Sequence, residues 1–249
     1  MRVFRGRGST IERDRAASAR LLEVATTGEP AVRVWRPHRQ LAFGRRDCRR
    51  DGYDRARAAA READFPPVER DVGGRAVAYD GETTIAFARA EPIEDFRRGT
   101  DERYDRLTAD LERGLAALSG LDPGTLARDE PANAFCPGSH SLSTGDGGGD
   151  GALAKIAGIA QRVRQDAAVT AGILVVAGRE PIAGVLEDVY GALEVAFDPG
   201  SVGSLAAAGG PADAETVRAT LEDALVGEAE PVVEPVQRLE TGTTDGPGP

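Results

Sequence analysis

Lys155-Ile-Ala-Gly-Ile-Ala-Gln-Arg-Val163, then Arg164-Gln-Asp166, then Ala167-Ala-Val-Thr-Ala-Gly-Ile-Leu-Val-Val-Ala177, is the stretch that decides the fold. Two apolar runs flank three polar residues, which is room for a turn and little else, so the runs read as paired strands. Working outward, Thr83 to Ala90 is another strand, Ala31-Val-Arg-Val-Trp35 alternates as a strand should, and Leu41-Ala-Phe43 is a short one ended by Gly44. Val68 to Tyr79 holds two extended stretches around the Gly73-Gly74 step. Asp101 to Leu118 carries Tyr104, Leu107, Leu111, Leu115 and Leu118 at three- and four-residue spacing, an amphipathic helix. Arg13 to Val24, Tyr53 to Ala63, Glu180 to Leu193 and Asp213 to Val226 also read as helices. Strands that follow one another as hairpins, with helices alongside, predict an α+β domain built on a mixed, largely antiparallel sheet rather than a doubly wound one. That domain covers residues 1–227. Residues 228–249, rich in Pro, Gly, Thr and acid, are expected to form a disordered, dispensable tail.

Composition limits the function classes. The chain has 249 residues and two cysteines, Cys48 and Cys136, too few for a disulfide scaffold and outside any Cys-x-x-Cys or Cys/His cluster. No apolar run approaches the ~18 residues of a membrane helix, and the first residues lack the apolar stretch of a signal peptide. A cytoplasmic protein is expected, without membrane partners. There are 41 acidic and 31 basic side chains, a net charge of −10. Lys155 is the single lysine among them, the other basic residues being arginine. Acid excess with almost no lysine suits concentrated salt, and a GC-rich genome would equally favour arginine. Residues 1–61 hold 16 Arg against 7 acids, and the remainder is strongly acidic, so a basic lobe sits on an acidic protein. Basic residues are not interleaved with aromatics, which leaves a nucleic-acid platform poorly supported.

Three segments carry chemistry. In Arg70-Asp-Val-Gly-Gly-Arg75, paired glycines let backbone N–H groups approach an anion, or simply turn a hairpin. Lys155 stands where arginine serves everywhere else. A compact charge on a flexible stem suits a carboxylate, a phosphate or a reacting carbonyl, although biased composition alone could leave one lysine behind. Cys136, in Phe135-Cys-Pro-Gly-Ser-His140, is either a nucleophile or a small buried hydrophobe. His140 reads as a structural strand residue, and His38 has no partner in sequence. No metal-ligand spacing is present.

Taken in order, these segments resemble the lipoate–protein ligase A family of the biotin/lipoate ligase and octanoyltransferase superfamily. Val68-Glu-Arg-Asp-Val-Gly-Gly-Arg-Ala-Val77 is similar to the family's Arg–Gly-Gly-Gly–Ala-Val loop. Lys155-Ile-Ala-Gly-Ile-Ala-Gln-Arg162 is similar to its lysine strand, and Gly172-Ile-Leu-Val-Val176 to the strand that follows. The resemblance implies a class II synthetase-like catalytic domain over residues 1–227. It also implies an ATP- and Mg²⁺-dependent ligase that joins lipoate or octanoate to a lysine of a carrier domain through an acyl-adenylate. The carrier would be the lipoyl domain of a 2-oxo-acid dehydrogenase or the glycine-cleavage H protein, and an accessory ligase subunit is an expected partner.

By the same resemblance Lys155 would hold the carboxylate and then the adenylate. Gly73, Gly74 and Arg75 would line the acyl and phosphate site, with Arg70 as an electrostatic clamp. Gly158, Ala160 and Gln161 would form the wall beside the acyl chain. The sequence departs from the pattern at Arg75, where a third glycine is usual, at Tyr79-Asp-Gly-Glu-Thr83, at Asn133-Ala134 and at Ala171. Cys136 opens an alternative: an octanoyltransferase that takes the acyl group from acyl carrier protein as a Cys136 thioester, with Lys155 assisting. A non-catalytic protein that binds an acyl group or nucleotide is the third reading. On the enzyme readings Lys155→Arg should abolish carrier acylation; on the binding reading it should not.

Overall fold

The computed structural model describes residues 1–70, 74–145 and 152–241. In chain order its elements are β1 (Arg2–Arg5), α1 (Ile11–Thr26), β2 (Ala31–Trp35), β3 (Gln40–Phe43), α2 (Tyr53–Glu62), β4 (Pro67–Glu69), β5 (Val77–Tyr79), β6 (Thr84–Pro92) and α3 (Thr100–Ala116). Then come β7 (Leu126–Ala127), β8 (Ser141–Gly145), β9 (Leu153–Val163), β10 (Ala167–Val175), α4 (Arg179–Ala192), α5 (Ala214–Val226), β11 (Val232–Pro235) and α6 (Val236–Thr241). Eight strands form one sheet in the order β11-β1-β2-β6-β10-β9-β8-β7; β4, β3 and β5 form a second, smaller sheet. In the large sheet β11, β1 and β2 run parallel, and every pairing from β2 onward to β7 is antiparallel. The mixed, largely antiparallel α+β domain expected from the sequence is the fold observed.

Alternation along each strand sorts the core into two faces. On one, Val32 and Val34 of β2 and Ile85 and Phe87 of β6 meet Leu107, Leu111 and Leu115 of α3 and Val217, Leu221 and Leu225 of α5. On the other, Trp35, Ala86, Ala88 and Ala90 pack under Ala17, Leu21 and Leu22 of α1. The small sheet sits on this second face too, with α2 and α4 around Phe43, Phe65, Val185 and Tyr190. Thr10 caps α1 by accepting from the Arg13 N–H, and the Asp213 carboxylate caps α5 at the Thr216 N–H, which satisfies donors each helix leaves open.

The β9–β10 hairpin forms where the sequence places it, Ala168 opposite Val163 and Leu174 opposite Ala157. His140, read as a strand residue, lies just ahead of β8 and stacks on Tyr104 with ring centroids 3.6 Å apart. Residues 146–151 of the acidic glycine loop and residues 242–249 lie outside the described residues.

The expected disordered tail is corrected over residues 232–241. Val232–Pro235 pair in parallel with Arg2–Arg5, Glu234 holds Arg2 at 3.1 Å, and Val236 is fully buried beside Phe4, Leu21 and Trp35. Pro and acid density hid an edge strand whose ladder partner is the far end of the chain. Among the described residues no helix is long and apolar enough to cross a membrane. Truncation after residue 227 strips Val236 from the core and uncovers β1. Burial of one valine is worth about 2 kcal/mol, so the truncated chain should melt roughly 4–8 °C lower; an unchanged melting temperature in a thermal scan would show the segment to be dispensable after all.

Candidate active site

A cavity of about 590 Å³ opens between α1, the small sheet and the second face of the large sheet. Its floor follows from register. Gly158 of β9 pairs with Ile173 of β10, Ile173 with Ala86 of β6, and Ala86 with Trp35 of β2. The next row runs Ala160, Ala171, Ala88, Arg33. A ligand can therefore lie across four strands on small side chains, with Trp35 closing the far end. Trp35 is held still: its Nε1–H donates to Asp14 at 2.9 Å and the Arg33 guanidinium lies 4.1 Å over its ring. Arg33 is completely buried, and burial lowers its pKa while the Asp14 carboxylate works to restore it.

Lys155 enters this cavity because β9 is irregular. Leu142 of β8 pairs with Ala157, but Ser143 pairs with Lys155, so Ile156 is an extra residue, a β-bulge. Strict alternation would put Lys155 on the α3–α5 face with Ala157. The bulge instead leaves Ile156 and Ala157 together in that apolar core and turns Lys155 to the cavity face with Gly158. Gly158 makes room there: a Cβ on it would lie 3.1 Å from Lys155 Cε and 3.4 Å from Nζ.

The Lys155 side chain is 1% exposed. Its ammonium donates to Glu130 Oε1 at 3.0 Å, Glu130 Oε2 at 3.1 Å, the Phe135 carbonyl at 3.1 Å and the Cys136 carbonyl at 3.2 Å. It also sits 4.9 Å from the centre of the Phe135 ring. Glu130 accepts from the Ser141 hydroxyl as well. Lys155 thus pins both ends of the segment 130–136, which carries Cys136, to the sheet.

Cys136 is the second focus. Its backbone is left-handed, φ 42°, and its sulfur borders the cavity. Arg70 Nη2 and the Arg75 N–H each lie 3.4 Å from Sγ. Gly74, φ 91°, passes so near that a Cβ there would stand 2.9 Å from Sγ, which a side chain could not occupy without moving the thiol. Burial works against the charge of Arg70, and Cys136, Tyr79 and Tyr190 more than offset it, leaving its pKa raised. Arg70 Nη2 also donates to the Arg75 carbonyl at 2.5 Å, whereas its Nε is buried with no partner among the described residues.

The structure brings Lys155, Cys136, Arg70, Gly158 and Ala160 around one cavity, with Gly74 against the thiol. Two expected residues are placed differently. The Arg75 side chain turns away and pairs with the buried Asp47 at 3.2 Å, while its backbone N–H serves the site. Burial raises the Asp47 carboxyl, and Arg75 and the Gly44 N–H oppose that. Gln161 borders the cavity, but its amide faces α3, accepting from Arg103 at 3.0 and 3.1 Å and donating to Thr170 at 3.0 Å. Gly73 lies outside the described residues. Sequence reasoning missed Glu130 and Tyr190, which carry no motif. It read Trp35 only as a strand residue, although a lone tryptophan on an alternating strand was a signal within reach.

Comparison with known proteins gives the family. Residues 15–225 match the lipoyl protein ligase A/B catalytic domain, and the chain belongs to that family. It is 31% identical over 173 residues to the octanoyl-[GcvH]:protein N-octanoyltransferase of Exiguobacterium sibiricum, an alignment covering 68% of this chain and 57% of that relative's length. Its fold is similar to that of a lipoate-protein ligase A solved with bound ATP, at a TM-score of 0.68 and 15% identity, over 94% of this chain and 87% of the other. It is also similar to the lipoate protein ligase of Thermoplasma acidophilum solved with lipoic acid, at a TM-score of 0.62 and 14% identity, over 94% and 88%.

Removing the ammonium tests its structural share. Lys155→Met leaves Glu130 with one hydroxyl partner and two buried carbonyls with none. Glu130 is 23% exposed, so the cost falls below that of a fully buried pair, about 2–3 kcal/mol, and the melting temperature should drop by roughly 5–10 °C. A drop under 1 °C would mean that segment 130–136 holds without the lysine.

Proposed function

We propose that the chain is an acyltransferase that carries an octanoyl- or lipoyl-length group as a thioester on Cys136 and delivers it to a lysine of a lipoyl-type carrier domain. The single observation behind the choice of transferase is the division of labour at the site. A thiol at the cavity has a guanidinium and a backbone N–H aimed at its sulfur, while the lysine that would grip a free carboxylate already holds Glu130 and two carbonyls. A carboxylate substrate would have to displace Glu130; a thioester carries no charge and need not.

Chemically, the Cys136 sulfur attacks the carbonyl carbon of the donor thioester. A new C–S bond forms, the donor C–S bond breaks, and the proton lost by Cys136 leaves with the donor thiol. The carrier amine then attacks the Cys136 thioester; the amide C–N bond forms, the C–Sγ bond breaks, and an amine proton returns to sulfur. Arg70 and the Arg75 N–H face the sulfur in both steps, where it bears negative charge.

Chain length follows from register. Three strand spacings separate β9 from β2, roughly 14 Å, and the indole of Trp35 takes part of that span. An extended eight-carbon acyl chain, with bonds near 1.5 Å, measures roughly 10 Å. At the mouth, Arg15, Arg162 and Arg164 are exposed on a chain of net charge −10, a rim suited to an acidic carrier face. The Exiguobacterium relative takes its octanoyl group from GcvH and passes it to a protein, and a Thermoplasma ligase has been studied with its E2 lipoyl domain, a carrier of the proposed kind.

A ligase is the second reading, favoured by the Arg70 Nε, a buried donor for which the described residues supply no acceptor and which a bound phosphate oxygen would satisfy. In it ATP with Mg²⁺ supplies the activation, Arg70 holds the phosphate and Lys155 the acyl carboxylate. Among the described residues no three His, Cys, Asp or Glu side chains gather as metal ligands, and none is assigned to Mg²⁺.

One assay separates the readings. The protein is incubated in concentrated salt with a lipoyl domain or H protein, receiving either lipoate with ATP or octanoyl acyl carrier protein, and the carrier is weighed by mass spectrometry. Acylation from the thioester, lost in Cys136→Ser, is expected; acylation that requires ATP and persists in Cys136→Ser would install the ligase instead. A second measurement examines the end wall. Trp35→Ala should raise the rate with a twelve-carbon donor at least tenfold relative to the eight-carbon one, and an unchanged preference would remove Trp35 as the stop.

A further inference from the structure

We infer that Tyr190 of α4 is a positioning residue for the Cys136 nucleophile. It holds the left-handed backbone that presents the sulfur between Arg70 and the Arg75 N–H. The inference rests on the reading that Cys136 accepts the acyl group.

A cysteine with φ 42° is in a region that residues with a Cβ enter at a cost and leave unless something holds them. Two contacts hold Cys136, one on each side of its Cα. Its carbonyl accepts from Lys155 at 3.2 Å, and its N–H donates to the Tyr190 hydroxyl at 2.7 Å. The same hydroxyl donates onward to the Ala76 carbonyl at 3.0 Å. Ala76 adjoins Arg75, whose N–H points at Sγ. One phenol oxygen therefore ties the nucleophile's own peptide to the strand end that supplies a donor to its sulfur, and fixes the distance between them.

The geometry is that of a fixed post. Tyr190 is fully buried, packed on Phe197 with ring centroids 5.0 Å apart, and α4 around it is set in the core by Val185, Leu186 and Val189. Burial pushes its phenol far above the ordinary tyrosine range, so it stays protonated and keeps donating to Ala76 wherever the protein is folded. Tyr190 does not line the cavity, and its hydroxyl bonds the Cys136 N–H and the Ala76 carbonyl rather than the sulfur. Its effect passes through the Cys136 backbone. Without the hydroxyl, the Cys136 N–H and the Ala76 carbonyl lose their shared partner, and relaxation of φ toward the ordinary range swings Sγ away from Arg70 and the Arg75 N–H.

Tyr190→Phe keeps the ring and removes that oxygen alone. The test reads the two cysteines of one folded protein together: alkylation by iodoacetamide followed peptide by peptide, with Cys48 as internal reference. The expected result is at least a tenfold fall in the Cys136 rate relative to Cys48. The rate of octanoyl transfer from acyl carrier protein to Cys136 should fall tenfold or more, with KM for that donor within twofold of the parent. A general loosening of the fold would move both cysteines together, or raise Cys136 reactivity, and either result overturns the proposal; so does a Cys136-to-Cys48 ratio within twofold of the parent. Because alkylation needs no acyl donor, it judges the positioning role even if Cys136→Ser retains carrier acylation, the outcome that would instead sink the transferase reading. Should Tyr190→Phe not fold, hydrogen exchange in the parent supplies the second measurement: the Cys136 amide, bonded to a buried hydroxyl, should exchange at least tenfold more slowly than an unprotected amide, and exchange at the unprotected rate would count against the coupling.

Discussion

One ammonium group organises the site. Lys155 is buried, and a buried charge persists only where it is neutralised and its donors are filled. Glu130 supplies the charge, and the carbonyls of Phe135 and Cys136 fill what remains. Those acceptors all belong to a single irregular segment without strand or helix of its own to hold it. The cost of burying Lys155 is therefore met by contacts that at the same time give segment 130–136 its conformation. Cys136 is placed by the same stroke, because one of the carbonyls is its own.

The bulge at Ile156 is the backbone condition for this arrangement. In a regular β9 the lysine would face the apolar core under α3 and α5, with Ala157, and away from Glu130. One extra residue opposite Leu142 and Ser143 keeps Ile156 and Ala157 in that core and delivers Lys155 to the other face. From the bulge outward, alternation gives Gly158 and Ala160 to the cavity and Gln161 to α3. This is why Gln161, adjacent in sequence to a cavity residue, spends its amide on Arg103 and Thr170.

The sequence carried the framework because the framework is periodic. The hairpin around Arg164-Gln-Asp166, the leucine spacing of α3 and the alternation of β2 each record which face is apolar, and each element appears within a residue or two of its reading. The ordered Arg70, Gly74, Lys155 and Gly158 set was legible as well, and these residues meet at one cavity and thiol. What stayed hidden was set by contacts between distant positions. Glu130 lies 25 residues from Lys155, Tyr190 lies 54 from Cys136, and β11 lies 230 from β1, and none leaves a local pattern. The Arg75 side chain was misplaced for a similar reason: its buried partner Asp47 is in another loop.

The choice of cation at the two buried positive sites on this face follows from shape. Arg33 meets its partners in a plane. It donates to the Asp14 carbonyl and Ser18 from one nitrogen and to Gly6 and the Asp14 carboxylate from the other, and its flat face lies over Trp35. A guanidinium fits such a site because its donors are coplanar and its faces are weakly hydrated. Lys155 meets a carboxylate and two successive peptide carbonyls around a single point, within 3.0–3.2 Å, beside a glycine whose missing side chain gives the ammonium its room. Only a compact head with donors spread in three dimensions satisfies that set. In a chain where arginine supplies all other basic side chains, the lone lysine is thus explained by the geometry of the acceptors around it.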